Sequence, residues 1–334
     1  MSGFRRLATD GRRDVEVTIP AEGAVLAGTL TLPTPPTLPT RDGGTAPPAP
    51  AVLLVAGSGP VDRDSDHRRL PLGITRLLAE ALADAGVASL RYDKRGVGAS
   101  TGGDWRRTGM DEATDDARHA LAVLAGRPEV DPERLAVAGH SEGALHVARL
   151  AASSHEGSRP AVQAAVLLSC SARPGGEVLA YQARVLAPTL PAPVRLLLRL
   201  LRTDLAAKQR RTAERIAATT TDVAWVGGAR INARWYREFL TRDPREDLAR
   251  IAVPVLALTG SKDLQVDPAD ALEIARLAPH ATGEVLEDVD HILRHVPGTP
   301  SVSAYKREVR EPLDPRVTGR VVAWTAQALG ARVG

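Results

Sequence analysis

The chain has 334 residues, a formal net charge of +3, 43% hydrophobic residues and 25% charged residues, which is typical of a globular protein with a substantial core. No basic block indicates a nucleic-acid partner, and aromatic residues at 3% predict an aliphatic core without an aromatic platform. No apolar run reaches the roughly 18–20 residues of a membrane-spanning helix. The start lacks an apolar leader, and the one cysteine cannot form an intramolecular disulfide. We therefore expect a cytoplasmic protein without stable membrane insertion.

The first elements in chain order are a hairpin and a loop. Residues 15–32 form two alternating runs around a Glu-Gly turn, which predicts a β-hairpin. Residues 33–50 are dense in Pro, Thr and Gly and are predicted to be a solvent-exposed loop. The apolar run at 51–57 then predicts a strand buried on both faces.

Strands and helices alternate after this point. Such alternation predicts a mostly parallel central sheet with helices on both faces. Strands are predicted at 87–93, 134–139, 165–171, 253–260 and 283–289, and helices at 73–86, 110–126, 142–153, 268–278 and 314–330.

The alternation is interrupted at 175–250, which is Arg-rich, helical in pattern and without strand character. We interpret this segment as a helical cap, inserted between core segments 1–174 and 251–334. The leucines and alanines of the cap are predicted to line an acyl pocket. For the stretch 194–211, a basic helix lying on a membrane surface is the alternative.

A candidate nucleophile lies in Gly139-His140-Ser141-Glu142-Gly143, a G-x-S-x-G pattern. The pattern alone is weak, and it occurs a second time around Ser100. A nucleophile elbow needs a strand that enters the turn and a helix that leaves it. Ser141 lies between such elements, whereas the strand before Ser100 ends several residues earlier and loop follows. We therefore predict that Ser141 is the nucleophile.

A serine hydroxyl needs a base, and the base needs an orienting acid. In hydrolases with this elbow the acid and then the histidine follow the serine along the chain. His291 comes directly after the predicted strand 283–289, with His295 as its rival. Asp263 comes directly after the preceding strand, with Asp267 as the alternative, although Asp267-Pro268 is typical of a helix start.

The tetrahedral intermediate of acyl transfer needs two N–H donors. The backbone of Glu142, which follows the nucleophile, would supply one. The loop Ala-Gly-Ser-Gly-Pro at 56–60 follows the strand at 51–57 and would supply the other, for which we select Ser58.

Together these segments resemble the α/β-hydrolase superfamily, and more narrowly the bacterial carboxylesterases of the EstD type. The resemblance implies a triad of Ser141, Asp263 and His291 and an oxyanion loop at Gly57-Ser58-Gly59. Ala56 departs from the family, since many relatives have histidine there. The similar segments are A-G-S-G-P-V-D-R-D (56–64), R-Y-D-K-R-G-V-G-A-S (91–100), G-H-S-E-G (139–143), R-E-F-L-T-R-D-P (237–244) and V-P-V-L-A-L-T-G-S-K-D-L-Q-V (253–266).

The expected function is hydrolysis of a small or medium acyl ester through an acyl-enzyme. A thioesterase, an acyltransferase or a peptidase would use the same triad, and a non-catalytic binding module is an alternative of another class. The sequence contains no metal cluster, P-loop or dinucleotide fingerprint, so no cofactor is implied.

Overall fold

The computed structural model describes residues 12–33, 47–154, 160–189 and 205–331. Most of the predicted loop at 33–50 lies outside these residues, as does much of the stretch 194–211. The loop prediction is wrong at its end, because Ala49 and Pro50 already belong to a strand. The strand that contains the apolar run therefore begins two residues earlier than the run itself.

A sheet of eight strands forms the centre of the fold. Its spatial order is β1-β2-β4-β3-β5-β6-β7-β8, in which β1–β2 and β2–β4 pair antiparallel and all other neighbours pair parallel. The strands are β1 (Arg13–Ala21), β2 (Ala24–Leu32), β3 (Ala49–Val55), β4 (Ala88–Tyr92), β5 (Val130–His140), β6 (Ala164–Leu168), β7 (Val255–Gly260) and β8 (Ala281–Leu286).

Helices cover both faces of the sheet. In chain order, the helices of the described residues are α1 (Ile74–Asp84), α2 (Met110–Ala125), α3 (Glu142–Ala152), α4 (Gly175–Leu186), α5 (Leu205–Ala217), α6 (Ala233–Thr241), α7 (Pro244–Arg250), α8 (Ala269–Leu277), α9 (Tyr305–Glu308) and α10 (Pro315–Ala328). Short 3₁₀ turns occur at Trp105–Arg107, Ala187–Thr189 and Val302–Ala304. The predicted alternation is therefore confirmed, with boundaries shifted by a few residues.

The core divides into two apolar clusters, one on each face of the sheet. In β3, Val52 and Leu54 belong to one cluster, and Leu53 and Val55 belong to the other. Successive side chains of a strand point to opposite faces, so a strand covered on both sides needs a continuous apolar run. Helices α1 and α10 cover one face, and α2, α3, α7 and α8 cover the other.

The interpretation of 175–250 as lacking strand character is wrong. Val223–Val226 and Ala229–Asn232 pair antiparallel, and Gly227 and Gly228 form the turn between them with φ of 59° and 82°. A two-residue turn with both φ positive matches the twist of a hairpin, and it favours glycine at both positions. The Gly-Gly pair, with Val226 shortly before it and Ile231 shortly after it, was therefore a local signal for this hairpin.

The last helix of this segment packs on the core. Leu248 of α7 is fully buried in the same apolar cluster as Val147 of α3 and Ile274 of α8. The division of the chain into core and cap remains a prediction. If it holds, the cap ends before α7 and not at residue 250.

Candidate active site

Ser141 lies at a sharp turn between β5 and α3. Its backbone has φ 56° and ψ −122°, outside the regions that residues with a side chain prefer. The flanking glycines do not have positive φ; they permit close backbone contact instead. A Cβ on Gly139 would lie 2.3 Å from the Gly143 carbonyl oxygen, and a Cβ on Gly143 would lie 2.2 Å from that of Val55. The turn therefore requires glycine on both sides and places strain on the serine itself.

Asp263 and His291 follow the ends of β7 and β8 and form a hydrogen-bonded pair. His291 Nδ1 lies 2.8 Å from Asp263 Oδ2 and 3.0 Å from Oδ1. The backbone N–H groups of Gln265 and Val266 donate to Oδ1 at 2.8 and 2.9 Å. An ionised carboxylate only accepts hydrogen bonds, so Nδ1 carries the imidazole proton and Nε2 has the free lone pair.

The Asp263 carboxylate is held in its ionised form. Burial alone would raise its pKa, but the electrostatic interaction with His291 and the hydrogen bonds to the carboxylate lower the pKa below its ordinary value. Both residues of the pair are buried, at 2% exposure for Asp263 and 4% for His291. A buried ionised acid of this kind is suited to fix the orientation of the imidazole and to stabilise an imidazolium.

The two rival residues occupy other positions. The His295 side chain is 54% exposed, and its nearest acid is Asp314, at 3.7 Å. Asp267 pairs with Arg173 at 2.9 Å and accepts a hydrogen bond from the Ala269 N–H. The Asp267 carboxylate therefore lies at the start of α8 and not against His291.

Ser141 and His291 line the same small cavity, of about 100 Å³, together with Ser58. Neighbouring His140 also lines it and is buried. His140 Nε2 donates to the His291 carbonyl oxygen at 2.8 Å, because a carbonyl can only accept. Burial lowers the pKa of His140 to about 3, so the ring is neutral at ordinary pH. His140 precedes Ser141 in the chain, so the expected order of the triad gave it no role as the base, and the sequence did not indicate this contact with the His291 backbone.

The loop predicted to carry an oxyanion donor lies against the elbow. A Cβ on Gly57 would lie 3.3 Å from the carbonyl oxygen of His140 and 3.4 Å from Ser141 Cβ. Ser58 lines the small cavity beside Ser141, and it also lines a larger cavity with Glu142. The small residues of the loop therefore bring its main chain close to the serine.

The larger cavity has a volume of about 330 Å³. The chain has only four Trp, four Tyr and two Phe, yet four of these ten aromatic residues line this cavity. The few aromatic residues of the chain are thus concentrated at this cavity. The four that line it are Tyr92, Trp105, Trp235 and Tyr236.

The part of the 175–250 segment that the structure describes contributes no leucine or alanine to this lining. Its contribution is Arg230, Ile231, Asn232, Trp235 and Tyr236. The predicted aliphatic acyl pocket is therefore not found among these residues. The leucines at 195–201 lie outside the described ranges.

The sequence of the chain matches a known protein family. Residues 72–294, more than half of the chain, match the family described as serine aminopeptidase, S33. The chain belongs to this family. It is an EstD-like α/β-hydrolase, 27% identical over 305 residues to Esterase EstD of Thermotoga maritima. The alignment covers 88% of this chain and 65% of EstD, so the chain spans slightly less than two thirds of the length of that relative.

Solved structures of the same fold include enzymes of different chemistry. Est1E from Butyrivibrio proteoclasticus, solved with ferulic acid bound, has a TM-score of 0.60 and 17% identity, and the match covers 94% of this chain and 99% of Est1E. Proline iminopeptidase from Mycobacterium smegmatis has a TM-score of 0.60 and 15% identity, with coverage of 95% and 99%. The α/β-hydrolase fold is thereby confirmed. The fold alone does not choose between ester and amide substrates.

The similarity to Esterase EstD agrees with the resemblance to EstD-type esterases that the sequence motifs indicated. As for membranes, none of the helices in the described ranges combines the length and apolarity needed to cross one.

Proposed function

We propose that the chain is a serine carboxylesterase that acts on a small or medium acyl ester with Ser141, His291 and Asp263. The observation that carries the proposal is the Asp263–His291 hydrogen bond in the cavity that Ser141 also lines. Similarity to Esterase EstD supports ester substrates. We also propose that the backbone N–H groups of Ser58 and Glu142 form the oxyanion hole.

In the proposed mechanism, Ser141 Oγ bonds to the carbonyl carbon of the ester while His291 Nε2 takes the hydroxyl proton. The carbonyl oxygen becomes an oxyanion and accepts hydrogen bonds from the two backbone N–H groups. Imidazolium His291, stabilised by Asp263, returns its proton to the departing alcohol, which leaves an acyl-enzyme. Water then attacks the acyl carbon while His291 takes its proton. His291 returns that proton to Ser141 Oγ as the bond between Oγ and the acyl carbon breaks, which releases the acid and restores the free serine.

We propose that the larger cavity receives one of the two substituents of the ester, because both proposed oxyanion donors lie at its border. Its largely buried charged residues are paired with one another. Lys94 Nζ lies 3.3 Å from Glu142 Oε1, and Arg95 NH2 lies 2.6 Å from Asp116 Oδ1. A cavity with aromatic walls and paired charges favours an uncharged group.

Peptidase action is the second candidate, favoured by the name of the matching family. An aminopeptidase needs an acid that binds the α-ammonium group of its substrate. Among the described residues, the acids of the larger cavity are paired with Lys94 and Arg95, and the small cavity has no acid in its lining. Both observations support an ester over an α-amino substrate. A thioesterase or acyltransferase remains an alternative, and a non-catalytic module less so, because no triad member is missing.

The test combines probe labelling with substrate profiling. A fluorophosphonate should label the protein, and mass spectrometry should place the label on Ser141. Initial rates should be compared for p-nitrophenyl esters of graded acyl length, acyl thioesters and an amino-acid amide, and esters should be cleaved fastest. Labelling at Ser100, or faster cleavage of the amide, would overturn the proposal.

A further inference from the structure

Lys94 is a largely buried cation close to the proposed oxyanion hole, and the mechanism above gives it no role. It lies two residues after the end of β4, and its side chain is 19% exposed. Its ammonium group donates a close hydrogen bond to the Gly57 carbonyl oxygen and also contacts Glu142 Oε1 at 3.3 Å. One ammonium group therefore binds both the loop and the residue after the nucleophile.

The contact with Gly57 acts on a specific peptide bond. The Gly57 carbonyl and the Ser58 N–H belong to the same planar peptide unit. A hydrogen bond to its oxygen therefore fixes the direction of the N–H at its other end. A cationic donor on the oxygen also polarises the unit, which makes the N–H a stronger donor, since successive hydrogen bonds reinforce one another.

The contact with Glu142 acts on the second donor. The Glu142 carboxylate is buried and also contacts His146 Nε2 at 3.3 Å. Burial alone would raise the pKa of Glu142, but the charge of Lys94 and the contact with His146 lower it to about 2. The carboxylate is thus ionised beside a site where negative charge would develop, and Lys94 offsets its repulsion.

We propose that Lys94 is a positioning residue that holds both oxyanion donors, the Ser58 N–H through the Gly57 carbonyl and the Glu142 N–H through the Glu142 side chain. This inference rests on the proposed function. Lys94 touches no reacting atom in it. Its effect is on the transition state, in which the oxyanion forms, and not on substrate binding.

The experiment compares Lys94→Met, which keeps the length of the side chain and removes its charge, with Lys94→Arg, which keeps the charge. Lys208→Met is the matched control, because Lys208 is an exposed lysine on α5 that lines neither cavity. The measurements are kcat, KM and the inhibition constant of an alkyl trifluoromethyl ketone, whose adduct with serine carries an oxyanion.

For Lys94→Met we expect kcat to fall by roughly 10- to 100-fold. This loss should not exceed the loss of kcat that follows removal of one oxyanion donor. KM should stay within about threefold of the wild-type value, and the inhibition constant of the ketone should rise by the same factor by which kcat falls. Lys94→Arg should recover part of the lost kcat. A role in stability alone would lower the melting temperature and leave kcat and ketone affinity of the folded protein like those of Lys208→Met. That result overturns the inference, as does a higher KM with unchanged kcat.

If Lys94→Met does not fold, Lys94→Gln replaces it, because its amide still donates a hydrogen bond but carries no charge. The same two results would overturn the inference. Labelling and activity of the wild type distinguish a failure of this inference from a failure of the proposed function. If the wild type is not labelled at Ser141, both proposals fail. If it is labelled and active but the Lys94 variants match the control, only the role of Lys94 fails.

Discussion

The chain contains the pattern G-x-S-x-G twice, and the two copies have opposite backbone structures. Around Ser100 the glycines adopt the left-handed conformation, with φ of 56° at Gly98 and 111° at Gly102, and the serine does not. Around Ser141 the serine has the positive φ of 56°, and neither glycine does. The same five-residue pattern thus forms an ordinary loop at one place and a strained elbow at the other.

The two serine side chains also differ in their partners. The Ser100 hydroxyl accepts a hydrogen bond from the Ala27 N–H at 2.9 Å and donates to the Asp93 carbonyl at 2.7 Å, which ties its loop to β2. Ser141 instead lines a cavity with His291, and Ser100 lines neither of the two cavities described above. The flanking elements, and not the pattern, therefore decide whether a serine is free to react.

The sharpest test of this comparison is to remove each hydroxyl. Ser141→Ala should lower kcat by a factor on the order of 10⁶, because the nucleophile of a triad is lost. Ser100→Ala is the matched control and should keep kcat near that of the wild type, measured well below its melting temperature. Steady-state kinetics with a p-nitrophenyl ester measures both. Comparable losses in the two variants would contradict the assignment.

The two candidate acids, Asp263 and Asp267, also have different partners. Asp263→Asn should lower kcat by roughly 10⁴ with the fold intact, because an amide in that position favours the wrong imidazole tautomer. Asp267→Asn changes a neighbouring acid that pairs with Arg173, and it should leave kcat nearly unchanged. Circular dichroism would establish folding before the kinetics are compared. A larger loss of kcat in Asp267→Asn would show that the acid is misassigned.

The sequence predicted the sheet and the pairing of Asp263 with His291 for a physical reason. Strands buried on both faces appear as continuous apolar runs, and residues that follow parallel strands meet at one edge of the sheet. Asp263 and His291 could therefore be brought together from their positions after β7 and β8 alone. The Asp-Pro helix start favoured Asp263 over Asp267. The order along the chain did not separate His291 from His295, which differ in the structure because His291 is buried and His295 is exposed.

The aromatic cavity and the contacts of Lys94 and His140 could not be predicted in this way. Trp105 and Trp235 are far apart in the chain, and only tertiary packing brings them to one cavity. The Lys94–Gly57 and His140–His291 contacts involve backbone carbonyls, whose directions no residue pattern records. The hairpin at 223–232 is different, since Gly227-Gly228 carried a usable signal.

The larger cavity gives a prediction of smaller size. Ala113 of α2 lines the larger cavity, so Ala113→Trp should fill it and shift the preferred acyl or alcohol size. Changes of about 1–3 kcal/mol, or 10- to 200-fold in relative kcat/KM, are typical when a pocket gains or loses a contact of this kind. Labelling by a small fluorophosphonate should change little.

Leu272→Trp is the matched control for this substitution, because Leu272 is 56% exposed and lines neither cavity. It should have the wild-type substrate profile. An unchanged profile for Ala113→Trp as well would exclude the larger cavity as the substrate pocket. The substituents would then have to bind elsewhere.

The smallest expected effect tests the backbone difference between the two serines directly, through the free energy of unfolding. Glycine adopts φ 56° and ψ −122° without a Cβ clash, so Ser141→Gly should release strain of about 1–3 kcal/mol. The greater freedom of glycine in the unfolded chain opposes this by about 0.4–1 kcal/mol, which leaves a net stabilisation on the order of 1 kcal/mol. Ser141→Ala keeps a Cβ and therefore the strain, so it is the control. At Ser100 the same change to glycine releases no strain, removes two hydrogen bonds of about 1 kcal/mol each and should destabilise the protein. Urea denaturation of the four proteins, wild type included, measures these differences. If Ser141→Gly proves less stable than Ser141→Ala, the elbow does not store strain in its serine, and the contrast between the two copies reduces to their side-chain partners.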